Sequence, residues 1–390
     1  MAAEGSKVDI TAEPSSMELN EDEKALVRTF RDKIYAYIPN HLFVDALGKN
    51  QLGHMRIAIV RETVGPFICR STDPEASITL RMTVDREVIE VPARKFKAPE
   101  KLLGLKICRE MNVVNANVRY NVLKEPIHLA NPNSILFGDS VTVENEAASL
   151  PSRARYDWSY SLRHFLDITD NLQHNALSES GTMWDPDTGE FRQSLFTVQY
   201  VLPGSLFPHF VTLLNVTPEL LVHFLTCVLS ANSYGAQTAA SNSNFRNHIV
   251  AIGWFGFEAP LTPFTISRDW KADDQVDLKS VKNKMVSLMG GYYRKSLIVD
   301  GVSQLDGTKE KESGPSQGQP ADNPSDSNPG ARTLTELIKN VEDLWNVEEK
   351  ETLKAIYKQA YADSQRYLEH LKIKEAAKGK SRERGRAKKN

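Results

Sequence analysis

The sequence predicts an α+β protein with a ferredoxin-like (RRM-like) core that carries large insertions, followed by a C-terminal helical extension. Strand-like runs at 196–201 and 210–214 precede a helix that begins after Thr217, and another strand-like run follows at 249–255. Strand–helix–loop–strand, with further strands upstream, is compatible with this core. Apolar residues at helical spacing from 333 to 374 predict the extension.

Composition divides the chain into five segments. Residues 1–24 are acidic and polar, which predicts disorder. The folded domain is expected over 25–300. Residues 301–332 are rich in Ser, Pro, Gly and Asp and predict a flexible linker. A helical extension at 333–374 and a basic tail at 375–390 complete the chain.

The N-terminal half of the domain alternates helical and strand-like patterns. Apolar positions spaced by three and four predict a helix over 25–38. Pro99 suits the first turn of a helix, which predicts a second helix over 99–111. The Pro- and Asn-rich stretch 125–139 is predicted to be a loop. Apolar and β-branched runs between Gly, Pro and Asp residues predict strands at 55–60, 67–70, 78–84, 88–91 and 118–122.

The C-terminal half carries stronger boundary signals. Thr217 as N-cap and Pro218 at the first position predict a helix that ends near Ala231. The loop 234–238 then leads to the strand at 249–255, and Gly235 suits a left-handed helix C-cap. That structural role is compatible with a binding role for the same loop.

Two further patterns mark a turn and a break. The run from Asp185 to Gly189 is a strong turn signal. A break near Asn346–Val347 divides the apolar stripe of 333–374 and predicts a helical hairpin. In the segment 153–165, the aromatic residues Tyr156, Trp158 and Tyr160 alternate with other residues, which suits a strand edge or a β-hairpin. Their rings are interpreted either as part of the core or as surfaces that stack on bases.

Composition excludes several classes of protein. The three cysteines are far apart, so neither a zinc site nor a disulfide framework is predicted. No apolar run approaches the roughly 20 residues that span a membrane, and the expected location is the cytoplasm. The common nucleotide-binding, zinc-protease and hydrolase motifs are absent from the sequence. No catalytic residue, cofactor or metal is therefore predicted.

Positive charge is concentrated although the whole chain has a net charge of −2. Residues 56–124 carry a net +5 and residues 371–390 a net +7. Within the first region, four cations from Arg94 to Lys101 surround Phe96. This group is interpreted either as a phosphate-binding segment with Phe96 stacking on bases, or as a solvated loop with Phe96 in the core.

An ordered set of segments carries a family resemblance. These segments lie within about residues 54–270 and are 94–104, 120–126, 135–138, 180–183 with 188–190, 202–203 with 207–208, and 234–238 through 246–247. In this order they resemble the Csc-two branch of the Cas-seven superfamily, the backbone subunits of type I-D CRISPR effector (Cascade) complexes. The ordered set is more specific than any single motif.

The resemblance implies an RRM-like core and a role in antiviral defence. Several copies of the chain would line up along a CRISPR RNA and leave its bases free to pair with target DNA. The implied partners are CRISPR RNA, target DNA through the guide, other copies of the chain and other type I-D Cascade subunits, without a membrane. A projecting hairpin that kinks the guide is expected at 178–194, with Met183 and Trp184 as apolar wedges.

The basic pattern and the resemblance together assign RNA contacts to twelve residues: Arg94, Lys95, Lys97, Lys101, Lys124, Thr182, Met183, Tyr234, Gly235, Gln237, Thr238 and Arg246.

The chain also departs from its relatives. Residues 127–136 contain His128 but lack the cysteines that relatives carry there, so no structural zinc is predicted. Residues 239–244 contain no cation, which leaves Arg246 to supply most of the positive charge of this loop.

Two alternative functions remain open. Related superfamily members cut paired target at regular intervals with a loop aspartate, for which Asp73 and Asp139 are the candidates. A plain interaction protein would instead use the helices of 333–374 as its binding surface.

Overall fold

The computed structural model describes residues 18–48, 54–70, 76–114, 118–123, 125–143, 146–175, 184–185, 189–191, 195–238, 241–255, 260–271, 274–293, 297–299 and 333–371. These ranges contain both helices and strands, so the predicted mixed α and β class is confirmed. The helices are α1 Glu21–Tyr35, α2 Ala93–Glu110, α3 Pro132–Phe137, α4 Pro218–Ser230, α5 Pro263–Arg268, α6 Leu278–Tyr293, α7 Leu334–Asp343 and α8 Lys350–His370. The strands are β1 His54–Thr63, β2 Thr79–Thr83, β3 Arg86–Val91, β4 Asp139–Val143, β5 Glu146–Leu150, β6 Ala154–Tyr156, β7 Ser159–Tyr160, β8 Thr169–Asn175, β9 Trp184–Asp185, β10 Glu190–Phe191, β11 Leu195–Val201, β12 Leu206–Leu214, β13 Phe245–Phe255 and β14 Leu297–Val299.

A five-stranded antiparallel sheet forms the centre of the protein, in the order β14-β13-β1-β12-β6. Strand β1 lies in its middle, and Ile57 faces Val211 on β12 and Ile252 on β13. Along the chain, β1, α2, β6, β12, α4 and β13 follow a βαββαβ order. The remaining described strands form four smaller sheets, β2-β3-β7, β4-β5, β8-β11 and β9-β10.

Both faces of the central sheet are covered, which explains why β1 is buried along almost its whole length. Ile57 and Ile59 belong to the core cluster that includes α4 and α8. Ala58 and Val60 point to the other face and belong to the cluster that includes α5 and α6. Because side chains alternate along a strand, one strand supplies both cores.

Helix α4 confirms the strongest local signal in the sequence. Thr217 is its N-cap, accepts a hydrogen bond from the Leu220 N–H at 3.4 Å, and is followed by Pro218. The helix ends at Ser230 with Ala231 in an extended conformation, so the prediction of Gly235 as its C-cap is wrong. Gly235 has φ +88° for another reason: a Cβ there would lie 2.6 Å from the Ile68 carbonyl oxygen.

The second helix begins earlier than predicted. Helix α2 starts at Ala93, and Pro99 lies inside it rather than in its first turn. Phe96, Glu100 and Gly104 are buried at a spacing of four, so the inward-facing stripe continues on the N-terminal side of the proline. This packing compensates for the one backbone hydrogen bond that Pro99 cannot donate. The basic segment is thus helical and not a loop before the helix.

Three other local predictions are wrong. Residues 67–70 and 118–122 form single bridges, Phe67 to Val201 and Arg119 to Val122, rather than strands. The predicted loop 125–139 contains α3, capped by Asn131, whose side chain accepts from the Ser134 N–H at 2.8 Å. A bridge joins a single pair of residues, and a run of β-branched residues cannot specify how many pairs follow.

Strands β9 and β10 pair antiparallel on either side of the predicted turn at 185–189, with Trp184 opposite Phe191. The rest of the 178–194 segment lies outside the described residues. Helices α7 and α8 are separated at 344–349, as the break near Asn346 predicted. Residues 1–17, 301–332 and 372–390 also lie outside the described part, so the five-segment division stays a prediction.

The α7–α8 pair packs against the rest of the chain through its apolar stripe. Leu337, Tyr357 and Leu368 are buried in the same cluster as the inner face of α4. Lys358 on α8 forms an ion pair with Glu23 on α1 at 2.8 Å. The stripe is therefore occupied within the chain and is not a free surface for a partner.

A histidine at this contact makes stability depend on pH. His223 on α4 is fully buried between Tyr357 Oη at 2.9 Å and Asn133 Oδ1 at 3.3 Å. Burial lowers its pKa from 6.5 to about 3, so the folded protein holds it neutral. Above pH 6.5 His223 is neutral in both the folded and the unfolded protein, and stability is at its full value. As the pH falls from 6.5 toward 3, only the unfolded protein binds a proton at this residue, so stability declines. The free energy of unfolding is expected to fall by about 1.4 kcal/mol per pH unit from this residue.

Urea unfolding at a series of pH values from neutral to acidic measures this slope. The variant His223→Gln keeps a polar side chain and cannot titrate, so its slope should be shallower than that of the wild type. Equal slopes for the two proteins would contradict the assignment.

Candidate nucleic-acid interface

A fully buried ion pair lies beneath the loop that follows α4. The Arg61 guanidinium on β1 donates from Nη1 to Glu100 Oε1 on α2 at 2.6 Å. Its Nε donates to His209 Nδ1 on β12 at 2.9 Å, and its Cζ lies 4.2 Å from the centre of the Phe96 ring. We call Arg61, Glu100, His209, Tyr234 and Asn247 the Arg61 network, because hydrogen bonds connect all five.

The network anchors the loop through Tyr234. The Tyr234 hydroxyl donates to Glu100 Oε1 at 2.8 Å and accepts from Asn247 Nδ2 at 2.9 Å. Tyr156 donates to the second carboxylate oxygen of Glu100. Burial, followed by the charge of Glu100, raises the pKa of Tyr234 well above 10.0. Tyr234 therefore stays protonated and holds the start of the loop against α2.

The histidine of the network is neutral. Burial, followed by the positive charge of Arg61, lowers the pKa of His209 well below 6.5. The neutral ring accepts from Arg61 at Nδ1 and donates from Nε2 to the Asp157 carbonyl oxygen at 3.0 Å. With His209 neutral, the negative charge of Glu100 balances the positive charge of Arg61 in this part of the core.

Asn244 closes the other end of the loop. Its Oδ1 accepts from the Tyr234 N–H at 2.9 Å, and its Nδ2 donates to the Tyr234 and Pro66 carbonyl oxygens at 2.9 and 3.1 Å. The Ala236 N–H donates to the Ile68 carbonyl at 3.0 Å. These bonds fix the described residues 232–238 and 241–244 on the segment that follows β1.

Two of the predicted contact residues project from this fixed loop. Gln237 is half-buried, with φ 53°, and its carbonyl oxygen accepts from the Ser241 N–H at 3.1 Å. Thr238 beside it is also half-buried. Tyr234 itself is completely buried, so its role is to anchor the loop, and direct RNA contact by its ring is contradicted.

The cations of α2 divide between two sides of the helix. Lys95 Nζ donates to the Arg70 carbonyl oxygen at 2.7 Å, close to the Ile68 segment that holds the loop. Arg94 is exposed on the same turn. Lys97 instead donates to Ser152 Oγ at 2.9 Å, and burial lowers its pKa. Arg94 and Lys95 therefore lie near the loop, whereas Lys97 turns toward the segment after β5.

Lys101 also lies on the side away from the loop. It is buried and forms an ion pair with Asp139 at 3.1 Å, with Asn121 Oδ1 at 3.2 Å. Asp139 additionally accepts from Ser134 Oγ at 3.1 Å. The carboxylate proposed for target cleavage is thus held by two partners. Asp73, the other candidate, lies outside the described residues, as do Lys124, Thr182 and Met183.

The aromatic residues of the two basic segments differ in burial, which decides between the core and base-stacking interpretations. Phe96 is completely buried, with its ring centre 5.5 Å from that of Tyr234, so the core interpretation is right and base stacking is not available to it. Trp158 is 48% exposed at the start of β7, whereas Tyr156 lies in the core.

Arg246 is exposed near the start of β13, directly before Asn247 of the network. Successive side chains of a strand point to opposite faces, so Arg246 lies on the α6 side and Asn247 on the α2 and α4 side. The predicted cations therefore approach the loop from two faces of the sheet. Their assignment to RNA contacts stays a prediction.

Sequence reasoning missed the residues that fix the loop. Arg61 directly follows the apolar run 55–60, and a charged residue in a strand buried on both faces is a signal for an internal partner. Asn244 and Asn247 gave no such signal, because asparagine is common in loops.

No described helix is long and apolar enough to cross a membrane. Within the described ranges, no three His, Cys, Asp or Glu side chains are grouped so as to hold a metal ion.

The chain is similar to known CRISPR proteins. A family model described as Csc2 Crispr matches residues 78–262, just under half of the chain. Among solved structures, the crystal structure of Thermofilum pendens Csc2 matches with a TM-score of 0.50 and 13% identity, covering 85% of this chain and 95% of that chain. The chain therefore shares the fold of Csc2. No curated protein matches the chain.

Two further structures align less well. A chain of a CRISPR RNA-guided surveillance complex has a TM-score of 0.41 and 11% identity, covering 62% of this chain and 86% of that chain. A chain of such a complex described as pre-nicking also has a TM-score of 0.41 and 11% identity, covering 63% and 90%.

Proposed function

We propose that the protein is a CRISPR RNA-binding backbone subunit that holds the guide in an effector complex. The observation that carries the proposal is the range of the Csc2 family match, because residues 78–262 include all twelve predicted contact residues. The structure adds a physical basis: a loop fixed from below by the Arg61 network, with Lys95 on one side and Arg246 on the other. Backbone amides, Gln and Arg are groups that bind phosphates.

The finer assignment is also part of the proposal. The complex is a type I-D Cascade, with several copies of this chain along one CRISPR RNA and other subunits beside them. The guide bases pair with target DNA, and the chain itself is not catalytic. The Asp139 ion pair with Lys101 supports this non-catalytic role, because that carboxylate is already bound. The location is the cytoplasm.

The strand order supports an RRM-like core. Taking β1, β6, β12 and β13 as its four strands, their order across the sheet is fourth, first, third, second. Helices α2 and α4 connect them in a βαββαβ order, which is the ferredoxin-like arrangement. In this interpretation β2–β5 and β7–β11 belong to the insertions.

The double variant Arg246→Ala with Gln237→Ala tests the loop. Loss of one cation and one amide is expected to weaken single-stranded RNA binding about tenfold and to reduce the salt dependence of the affinity by about 0.7 in log–log slope. Fluorescence anisotropy of a labelled RNA at several salt concentrations measures both quantities.

Arg28→Ala is a matched control, because it removes an exposed arginine from α1 without touching the loop. Urea unfolding should be similar for all three proteins. If the double variant binds RNA as tightly as the wild type, the loop is not part of the site. If the wild type neither binds RNA in a salt-dependent way nor co-purifies with RNA when expressed with its genomic neighbours, the proposed function is wrong.

A further inference from the structure

Charged side chains next to Arg246 form a second group on the α6 side of the central sheet. Glu62 on β1 lies opposite Arg246 on β13 in the strand register. His248 Nε2 lies 2.8 Å from Glu62 Oε2. Since residues two apart share a face, and directly opposed residues of an antiparallel pair share one too, all three side chains lie on one face.

Helix α6 adds a lysine to this group. It packs on that face through Val281, which is buried in one cluster with Val60, the strand partner of His248. Lys282 follows Val281 directly, so the helix brings this lysine near His248. Burial lowers the pKa of His248, and the charges of Lys282 and Arg246 lower it further, while Glu62 acts in the opposite sense.

The group remains accessible to solvent. Arg246 is exposed, and the Glu62 side chain keeps 23% of its surface. Glu62 is the only carboxylate among the four residues Glu62, Arg246, His248 and Lys282. Its carboxylate accepts a hydrogen bond from His248 and lies opposite Arg246, so it occupies the position to which these donors would attract another anion. A phosphodiester of one negative charge would compete with it for the same donors.

We propose that Arg246, His248 and Lys282 form a second phosphate-binding position, and that Glu62 weakens it by competing with the phosphate. The inference rests on the proposed function, because the ligand is the same single-stranded RNA. It extends the contact surface from the loop around the start of β13 onto α6. Neither His248, Lys282 nor Glu62 was among the predicted contacts.

Three single variants of the full chain test this position with a fluorescein-labelled single-stranded RNA of mixed sequence. Glu62→Gln keeps an acceptor for His248 and removes the negative charge, so binding should tighten about fivefold at low salt. Lys282→Ala should weaken binding severalfold and lower the salt slope by about 0.7. Lys284→Ala is the matched control: it removes the same charge from the same helix, but Lys284 acts on Asp269 and not on His248. It should bind as the wild type does.

Each outcome decides a different point. Tighter binding by Glu62→Gln together with weaker binding by Lys282→Ala alone supports the position. If the wild type binds RNA, and Glu62→Gln and Lys282→Ala both bind it with the affinity of the wild type, this inference is wrong and the proposed function stands. Equal weakening by Lys282→Ala and Lys284→Ala also overturns it, because only the total charge then matters. If the wild type binds no RNA, both proposals fail. Urea midpoints verify that each variant is folded.

Discussion

Replacing Glu100 with glutamine is expected to lower the free energy of unfolding by about 3–5 kcal/mol. Arg61 would keep its charge in the fully buried core and would lose the carboxylate 2.6 Å away. The amide of glutamine fills the same space and carries no negative charge. Tyr234 would also lose its charged acceptor. Urea denaturation followed by circular dichroism at neutral pH measures the change.

Two comparisons make this test specific. Glu351→Gln removes an exposed partner of Lys354, so it should change stability far less. The double variant Arg61→Met with Glu100→Leu should lose less than the sum of the two single variants, because no charge is left unpaired. A Glu100→Gln protein as stable as Glu351→Gln would show that the pair contributes little.

Replacing Gly235 with alanine is the second large effect, with an expected loss of about 2–5 kcal/mol in the free energy of unfolding. An L-residue at φ +88° costs about 1–2 kcal/mol in backbone strain. The added Cβ would also lie 2.6 Å from the Ile68 carbonyl oxygen and 2.8 Å from the Phe67 ring. Either the loop or the segment after β1 must move, which costs about 1–3 kcal/mol more. RNA affinity should fall with stability.

Gly204→Ala measures the backbone strain without the steric contact, so the difference between the two variants gives the cost of that contact. Gly204 has a similar φ of +85°, and a Cβ there would meet nothing within 4 Å. Its alanine variant should therefore show the backbone strain alone and normal RNA binding. Equal losses of stability at the two glycines would mean that the contact with Phe67 and Ile68 is easily relaxed.

Local sequence signals predicted the elements whose causes are local. Thr217, Pro218 and the apolar stripe after them define α4 without help from the rest of the chain. The signal from Asp185 to Gly189 predicted a turn in the same way, and β9 and β10 pair on either side of it. In both cases the residues that decide the structure lie within a few positions of one another.

Contacts between distant residues decided the rest. The start of α2 depends on Phe96 and Glu100 meeting Tyr234 and Arg61, and no local rule could place the helix start before Pro99. The site shows the same dependence. Arg94 and Lys95 were assigned from the basic pattern and the family resemblance, yet Lys101, assigned in the same way, is bound to Asp139. Whether a lysine faces solvent or a carboxylate depends on folding of the whole domain.

The packing of α8 against α1 has a consequence for synthesis of the protein. Glu23 and Lys358 meet although 335 positions separate them, and Val27 of α1 is buried in one cluster with Ala355 of α8. On the ribosome, α1 and α4 emerge long before α8. Their apolar faces stay uncovered until α8 is made, so this core cannot close before α8 emerges, and the nascent protein is exposed to aggregation during that interval.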